Sequence, residues 1–157
     1  MSDEHHYRLR AEWTGDRGTG TSGPRDFDRS VTLTVEGKPP LYASADVPFR
    51  GDGAKWNPED QLIGALAECH LLSYLYACVQ AGVVVTAYED DASGVIVMAG
   101  AGGAFREVVL RPRVTVAAAS MVEAATAAHR TARELCFIAN SVNFPVRHEP
   151  TILVAEA

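Results

Sequence analysis

The strongest constraint on the fold is a single long helical segment over residues 57–82. Asn57 is a strong N-cap, Pro58 suits the first helical position, and acidic residues follow in the first turn. Gly82 is the expected C-terminal signal, and no proline interrupts the residues between. A helix that is apolar nearly all round is buried, either centrally in the domain or against a partner subunit. The apolar positions are Leu62, Ile63, Ala65, Leu66, Ala67, Leu71, Leu72, Tyr74, Leu75, Tyr76 and Val79.

Strand-forming segments lie on both sides of this helix. Alternation of apolar and polar side chains predicts half-buried strands, and β-branched runs predict further ones. Because short hairpins outnumber crossovers in this order, the pattern favours an α+β domain with antiparallel strands. The predicted segments span residues 7–13, 31–35, 41–45, 83–88, 94–98, 105–116 and 151–154.

A second helix is predicted from Met121 to about Ser141. Ser120 is a favourable N-cap, and Glu123 at the third helical position completes a capping box. Pro145 is expected to stop the helix before the last strand.

The composition excludes several functional classes. The length of 157 residues and 47% hydrophobic content are typical of a single globular domain over residues 1–157. A formal net charge of −6, with no basic cluster, argues against a nucleic-acid partner. The polar segment from Met1 to Arg10 is unlike a signal sequence, and no apolar run approaches the ~20 residues of a membrane span. We therefore expect a cytoplasmic protein with no membrane partner.

Three cysteines, Cys69, Cys78 and Cys136, are too few for a structural disulfide framework in the cytosol. Cys69 and Cys78 point to opposite faces of the predicted helix, about 13 Å apart along its axis. A disulfide requires Cα atoms within about 7 Å. Cys136, on the second helix, is then the intrachain partner that geometry permits for Cys69. A cysteine in an apolar helix is more often a small core side chain, so a structural role stays open for all three thiols.

The histidines raise two further hypotheses. His70 adjoins Cys69, but neighbouring helical residues diverge by about 100°. A Cys–His nucleophile pair would therefore need His70, His129 or His148 to reach the thiol in space. His129, His148 and two cysteines could form a tetrahedral metal site, although no C-x-x-C or H-x-x-x-H spacing supports one. We expect neither a metal nor another cofactor.

Two segments around the thiols resemble the OsmC/Ohr family, the osmotically inducible and organic hydroperoxide resistance proteins. The first, NPEDQLIGALAEC from Asn57 to Cys69, is similar to the family's NPEELxxxxxxxC segment. The second, ARELCFIANS from Ala132 to Ser141, is similar to the helix end that carries the family's CPxSN motif. With the chain length, the helix order and the closing strand, the resemblance covers nearly the whole sequence.

The resemblance implies both a fold and an activity. Family members are α+β domains with antiparallel sheets wrapped around two long central helices in an intertwined homodimer. The implied activity is thiol-dependent reduction of organic hydroperoxides to alcohols. Cys69 matches the peroxidatic cysteine and Cys136 the resolving cysteine. A dithiol reductant, either lipoyl-type or a small thiol, would reopen their transient disulfide.

The resemblance also implies a carboxylate and an arginine at the reactive thiol. Glu59 matches the carboxylate that orients the arginine. The arginine is either Arg25, in the segment Gly-Pro-Arg-Asp, or Arg50, in Phe-Arg-Gly-Asp, with Arg25 slightly favoured. Candidates for an apolar substrate wall are Tyr42, Phe49, Trp56 and Phe137.

Two alternatives from other classes stay open. A non-catalytic, stress-associated dimer would have buried, unreactive cysteines that are too far apart to bridge. A different thiol reaction, such as acyl transfer or hydrolysis, would require a histidine in contact with Cys69.

Overall fold

The structure, a computed structural model, describes residues 4–156. Within these residues, strands and two α-helices form two compact units, one ending at Gln61 and the other beginning at Leu62. The α+β class is confirmed. The elements are β1 (Arg10–Trp13), β2 (Val31–Thr34), β3 (Leu41–Ala43), α1 (Pro58–Gln80), β4 (Val85–Asp90), β5 (Ser93–Ala99), β6 (Gly102–Leu110), β7 (Pro112–Val116), α2 (Val122–Leu135), β8 (Val146–His148) and β9 (Thr151–Val154).

The first unit contains one antiparallel sheet in the order β1-β2-β3. Val31 in the central strand is paired with Trp13 on one side and with Ala43 on the other. The Trp13 ring meets Phe27 edge to face, with ring centroids 5.8 Å apart. The first three predicted strands are therefore present, each somewhat shorter than the sequence pattern indicated.

The helix predicted from residue 57 is confirmed as α1, Pro58–Gln80. The Asn57 side-chain oxygen accepts a hydrogen bond from the Asp60 backbone N–H at 2.7 Å, which satisfies one of the free donors of the first turn. After the helix, Gly82 adopts a φ of +69°, a left-handed conformation that glycine tolerates best.

The second unit contains two three-stranded sheets, in the orders β4-β7-β9 and β5-β6-β8. The prediction that the strands are antiparallel holds only in part, because β8 lies parallel to β6 and β9 lies parallel to β7. Both parallel strands follow α2, and a helical crossover is the usual connection between parallel strands. The predicted strand over residues 105–116 is two strands separated at Arg111, and β8 was not predicted.

The prediction for α2 is wrong at both ends. A 3-10 turn, Ala119–Met121, precedes α2, and no side chain caps the first turn, so Ser120 and Glu123 form no capping box. The helix ends at Leu135 rather than near Ser141, because the backbone becomes extended at the next residue. The Asn140 side chain then donates a hydrogen bond to the Glu134 carbonyl oxygen at 3.0 Å, which satisfies a carbonyl of the last turn.

One face of α1 packs into the core of the second unit. Toward its C-terminal end, Tyr74, Ala77 and Cys78 pack against buried alanines of α2 and valines of β7. Toward its N-terminal end, Leu66 packs against residues of β6 and β8. Cys78 is thus a core residue, as its apolar setting favoured. The expectation of burial all round is met on this face only, since Leu72, Tyr76 and Val79 are exposed.

The expectation that no segment could span a membrane is corrected by α1. By length and composition, α1 is long and apolar enough to cross a bilayer. After Asp60, Glu68 is its only charged residue. The apolar stretch is therefore longer than the sequence analysis indicated. One such helix does not distinguish a membrane span from the core helix of a soluble protein.

Candidate active site at Cys69 and Cys136

Cys69 lies in a groove on the open face of α1, which we call the Cys69 groove. Residues 69, 72, 73 and 76 follow the i, i+3, i+4, i+7 spacing of one helix face. The residues at and after the end of α2 form the opposite wall, and the cavity has a volume of about 660 Å³. The groove is lined by Ala65, Glu68, Cys69, Leu72, Ser73, Tyr76, Leu135, Phe137 and Ile138.

Cys136 lies behind the groove and is only 1% exposed, whereas Cys69 is half-buried. The chain turns back after Cys136, so that the Ala139 N–H donates to the Cys136 Sγ at 3.4 Å. Burial, together with hydrogen bonding and charge contact with the Cys69 side chain, raises the pKa of Cys136 to about 11. The structure therefore places the two predicted thiols near enough to influence each other, one half-buried and the other enclosed.

Of the wall residues suggested by the sequence, Phe137 lines the Cys69 groove and is 80% exposed. Tyr42, Phe49 and Trp56 belong to the first unit, where each is exposed.

Glu59 and the two candidate arginines also belong to the first unit. The Glu59 Oε2 atom is buried and accepts no hydrogen bond within residues 4–156. Neither Arg25 nor Arg50 forms an ion pair with it, whereas an Arg50 Nη1 donates to the Pro24 carbonyl oxygen at 3.1 Å. Arg25 follows Pro24 directly, so the two candidate segments meet at this carbonyl.

A third arginine, Arg29, lies at the same place and was not singled out from the sequence. Its Nη2 also donates to the Pro24 carbonyl oxygen, at 2.8 Å, and its guanidinium lies 4.2 Å from the centre of the Phe27 ring. Unlike Arg25 and Arg50, Arg29 is half-buried. Its packing on an aromatic face indicates a mainly structural role.

His70 points away from the Cys69 groove, as the 100° step between neighbours predicts. Its side chain is fully buried, and its Nε2 lies 3.0 Å from His129 Nδ1. The His70 ring also contacts the His148 ring, with centroids 4.2 Å apart, and Tyr74 stacks on His129 at 4.0 Å. We call His70, His129 and His148 the histidine cluster.

The histidine cluster holds neutral rings. Burial, and after it the charges of neighbouring histidines, lower the pKa of His70 to about 3 and that of His129 to about 4. Within residues 4–156, no histidine hydrogen-bonds to a cysteine, and no group of three His, Cys, Asp or Glu side chains is placed to hold a metal ion. The Cys–His arrangement that acyl transfer would need is therefore not formed.

Comparison with known proteins assigns the chain to a family. The model of the family described as OsmC-like protein matches residues 51–151, well over half of the chain. The chain belongs to the OsmC-like family. Among curated proteins, the Bacillus subtilis (strain 168) protein YmaD, itself uncharacterized, is 21% identical over 143 residues, covering 88% of this chain and 87% of that protein.

Solved structures of OsmC-like proteins have the same fold. An OsmC-like protein of unknown function from Vibrio cholerae is 28% identical, with a TM-score of 0.83 over 94% of this chain and 100% of the other. An organic hydroperoxide resistance protein from Elizabethkingia anophelis is 15% identical, with a TM-score of 0.67 over 97% of this chain and 99% of the other. The second likeness concerns the fold alone.

The histidine cluster of this OsmC-like protein was the feature that sequence reasoning missed. The three histidines come from α1, α2 and β8, at positions 70, 129 and 148, so no local spacing joins them. The usable signal was weaker: His70 and Tyr74 are one helical turn apart on the face of α1 opposite the exposed residues.

The histidine cluster predicts acid sensitivity. A histidine whose folded pKa lies below its unfolded value of about 6.5 binds fewer protons when folded, so stability falls as the pH falls through the unfolded pKa. We expect the free energy of unfolding, measured by urea titration, to fall by on the order of 4 kcal/mol between about pH 7 and about pH 5, with about half of this from each of His70 and His129. His129→Gln should flatten this dependence, and His6→Gln, at the exposed N-terminal segment, should leave it unchanged. Equal slopes for His129→Gln and the wild type would contradict the assignment.

Proposed function

We propose that this OsmC-like protein is a two-cysteine peroxidase that reduces organic hydroperoxides to alcohols. The observation that carries the proposal is the proximity of a half-buried thiol, Cys69, which lines an apolar groove, to an enclosed thiol, Cys136. The difference in solvent accessibility between the two thiols matches their proposed roles. The attacking thiol must reach the substrate, whereas the resolving thiol must reach only its partner.

The reaction balances with a dithiol as the reductant. The Cys69 thiolate attacks the distal oxygen of the hydroperoxide, the O–O bond breaks, and the alkoxide takes a proton to leave as the alcohol. Cys69 is then a sulfenic acid. The Cys136 sulfur attacks it, a disulfide forms, and the hydroxyl leaves as water. Two electrons and two protons from a lipoyl-type dithiol or a small thiol restore both cysteines.

The raised pKa of Cys136 supports this division of roles. A thiol with a pKa of about 11 stays protonated near neutral pH, so it is a poor nucleophile toward peroxide. Cys69 in the groove is thereby the thiol that peroxide oxidises first. Cys136 acts afterwards on a sulfur that lies near it in the same chain, which makes the second step intramolecular.

A positive charge is needed to stabilise the Cys69 thiolate, and we assign it to Arg25 or Arg50, with Glu59 as the orienting carboxylate. The buried Glu59 Oε2 lacks a hydrogen-bond partner within residues 4–156, so it retains the capacity to accept from a guanidinium. Arg25 makes no side-chain hydrogen bond there, whereas Arg50 already donates to Pro24. This difference supports Arg25.

The lining of the Cys69 groove supports an organic rather than an inorganic peroxide. Leu72, Leu135, Phe137 and Ile138 provide an apolar wall that would bury an alkyl or aryl group next to the thiol. Glu68 stands at the exposed side of the groove, where its carboxylate would disfavour hydroperoxides that carry a negative charge.

We further propose a homodimer that covers the open face of α1. Leu75 and Val79, which do not line the Cys69 groove, are exposed beside Leu72 and Tyr76 at its edge, with Val79 exposed by 71%. A contiguous apolar face of this kind on a folded chain marks an association surface. A second copy of α1 would supply an equally apolar and complementary surface.

We also propose a cytoplasmic location, because all three cysteines, Cys69, Cys78 and Cys136, are free thiols, as is usual in a reducing compartment. No observation favours acyl transfer, because no histidine reaches Cys69 within residues 4–156.

Cys69→Ser should lower turnover of cumene hydroperoxide and tert-butyl hydroperoxide, measured with dihydrolipoamide as reductant, by at least about 1,000-fold. The reason is that a hydroxyl has no accessible anion near neutral pH. Cys78→Ala is the matched control: it removes a buried thiol outside the groove and should keep wild-type turnover. Retained peroxidase activity in Cys69→Ser would disprove the proposal.

Cys136→Ser should permit one turnover and then stop. Without the resolving thiol, the Cys69 sulfenic acid persists and is oxidised to sulfinic acid by further peroxide. Mass spectrometry after one equivalent of cumene hydroperoxide should show a gain of one oxygen on Cys69, whereas the wild type loses two hydrogens. A Cys136→Ser variant that cycles at the wild-type rate would exclude Cys136 as the resolving residue.

Val79→Asp should weaken the dimer at least about tenfold in its dissociation constant, because it places an unpaired charge in an apolar interface. Sedimentation velocity over a range of protein concentrations measures this. Val97→Asp makes the same change at an exposed position on β5 and should leave association unchanged. A wild-type protein that sediments as a monomer at all concentrations would rule out the dimer.

A further inference from the structure

A second cavity, which the proposed peroxidase reaction does not use, lies between α2 and β8. Its volume is about 550 Å³, within the range of small-molecule sites. The helix contributes His129, Arg130 and Arg133, and the strand contributes Arg147 and His148. We call it the arginine cavity.

The charges around the arginine cavity do not cancel. Arg147 pairs with a β6 carboxylate at 3.1 Å, and Glu149, the acidic lining residue, pairs with Arg111 at 3.0 Å. Arg130 and Arg133 have no carboxylate partner within residues 4–156. Two neighbouring positive charges on one turn of α2 thus lack a counterion, in a chain whose formal net charge is −6.

The floor of the arginine cavity contains an unsatisfied buried polar group. His129 is 5% exposed, and its Nδ1 is engaged with His70 Nε2. Its other ring nitrogen, Nε2, is buried and has no hydrogen-bond partner within residues 4–156. A buried nitrogen of this kind costs on the order of 1–3 kcal/mol when it stays unpaired. Because His129 lines the cavity, a ligand bound against its ring is a candidate for the missing partner.

We propose that the arginine cavity binds the carboxylate or phosphate group of a small anionic molecule. Guanidinium groups bind planar carboxylates and phosphates through two parallel N–H donors, which suits Arg130 and Arg133. His148 adds a half-buried ring beside them, and Arg133 lies close enough for its charge to act on that ring. An anion would neutralise the two free arginines and pair with the histidine floor.

The hydrogen bond within the histidine cluster allows the floor to act as a donor. If the His70 Nε2–H donates to His129 Nδ1, the proton of neutral His129 resides on Nε2. The opposite tautomer leaves Nε2 as a bare acceptor, which repels an anion. Bound anion therefore selects the first tautomer without a change in the charge of either ring.

The arginine cavity is distinct from the Cys69 groove and from the proposed dimer face. On α2, Leu135 lies two residues beyond Arg133, which places the two side chains about 160° apart around the helix axis. Leu135 lines the Cys69 groove, so Arg133 points to the opposite side of the helix. The anion site does not depend on peroxidase activity or on dimer formation.

The test is calorimetric titration of the full-length protein with inorganic phosphate and, separately, with succinate, at constant ionic strength. We expect saturable binding of at least one probe in the millimolar range or tighter, with the preferred probe identifying the phosphate or carboxylate class. Proton NMR should show the ring protons of His129 and His148 shifting along the same binding curve. Arg133→Gln and Arg130→Gln should each weaken binding at least about tenfold.

Arg8→Gln removes the same charge from an exposed arginine of the first unit and should leave binding unchanged. His129→Phe keeps a flat ring but removes both nitrogens, so it should also weaken binding. Absence of saturable binding to both probes overturns the proposal. Equal weakening by Arg8→Gln and Arg133→Gln also overturns it, because that result would show a response to net charge alone. Loss of peroxidase activity in Cys69→Ser leaves this titration unaffected.

Discussion

The structure depends on the different roles of the two faces of α1, one buried in the core and the other open. Leu66, His70, Tyr74 and Ala77 recur at the spacing of one helix face and are buried, so this face anchors the second unit. The opposite face carries Cys69 and leaves it half-buried in a groove. Because the helix has no polar face of the usual kind, its position is fixed by packing on one side. This packing also fixes the position of Cys69 along the helix, opposite the end of α2.

The early end of α2 determines the backbone around the second thiol. If the helix continued past Leu135, as its sequence suggested, Cys136 would lie one turn beyond Ala132 on the same buried face. The backbone is extended at Cys136 instead, and in the turn that follows the Ala139 N–H meets the sulfur. Asn140 satisfies the Glu134 carbonyl that this early end exposes. Burial raises the pKa of Cys136, which separates its chemistry from that of Cys69.

The sequence predicted those features that a local pattern specifies. The cap at Asn57 and the extent of α1 followed from spacing and capping chemistry, and the two thiol segments followed from motif resemblance. The boundaries of α2 did not, because Ser120 and Glu123 matched a capping pattern that a preceding 3-10 turn makes unnecessary. Local signals cannot register such competition between two ways of starting a helix.

The candidate arginines and the histidine cluster show the same limit over longer distances. Arg50 donates to Pro24, beside Arg25, so the two segments that motif resemblance could not separate are neighbours in space. The histidines at 70, 129 and 148 meet only because three elements that are distant in sequence, α1, α2 and β8, converge in the fold. Burying three neutral rings together is costly unless their nitrogens are paired, and one pair is made internally. The His129 nitrogen and the two arginines near it are therefore polar groups that the fold brings together without pairing them internally.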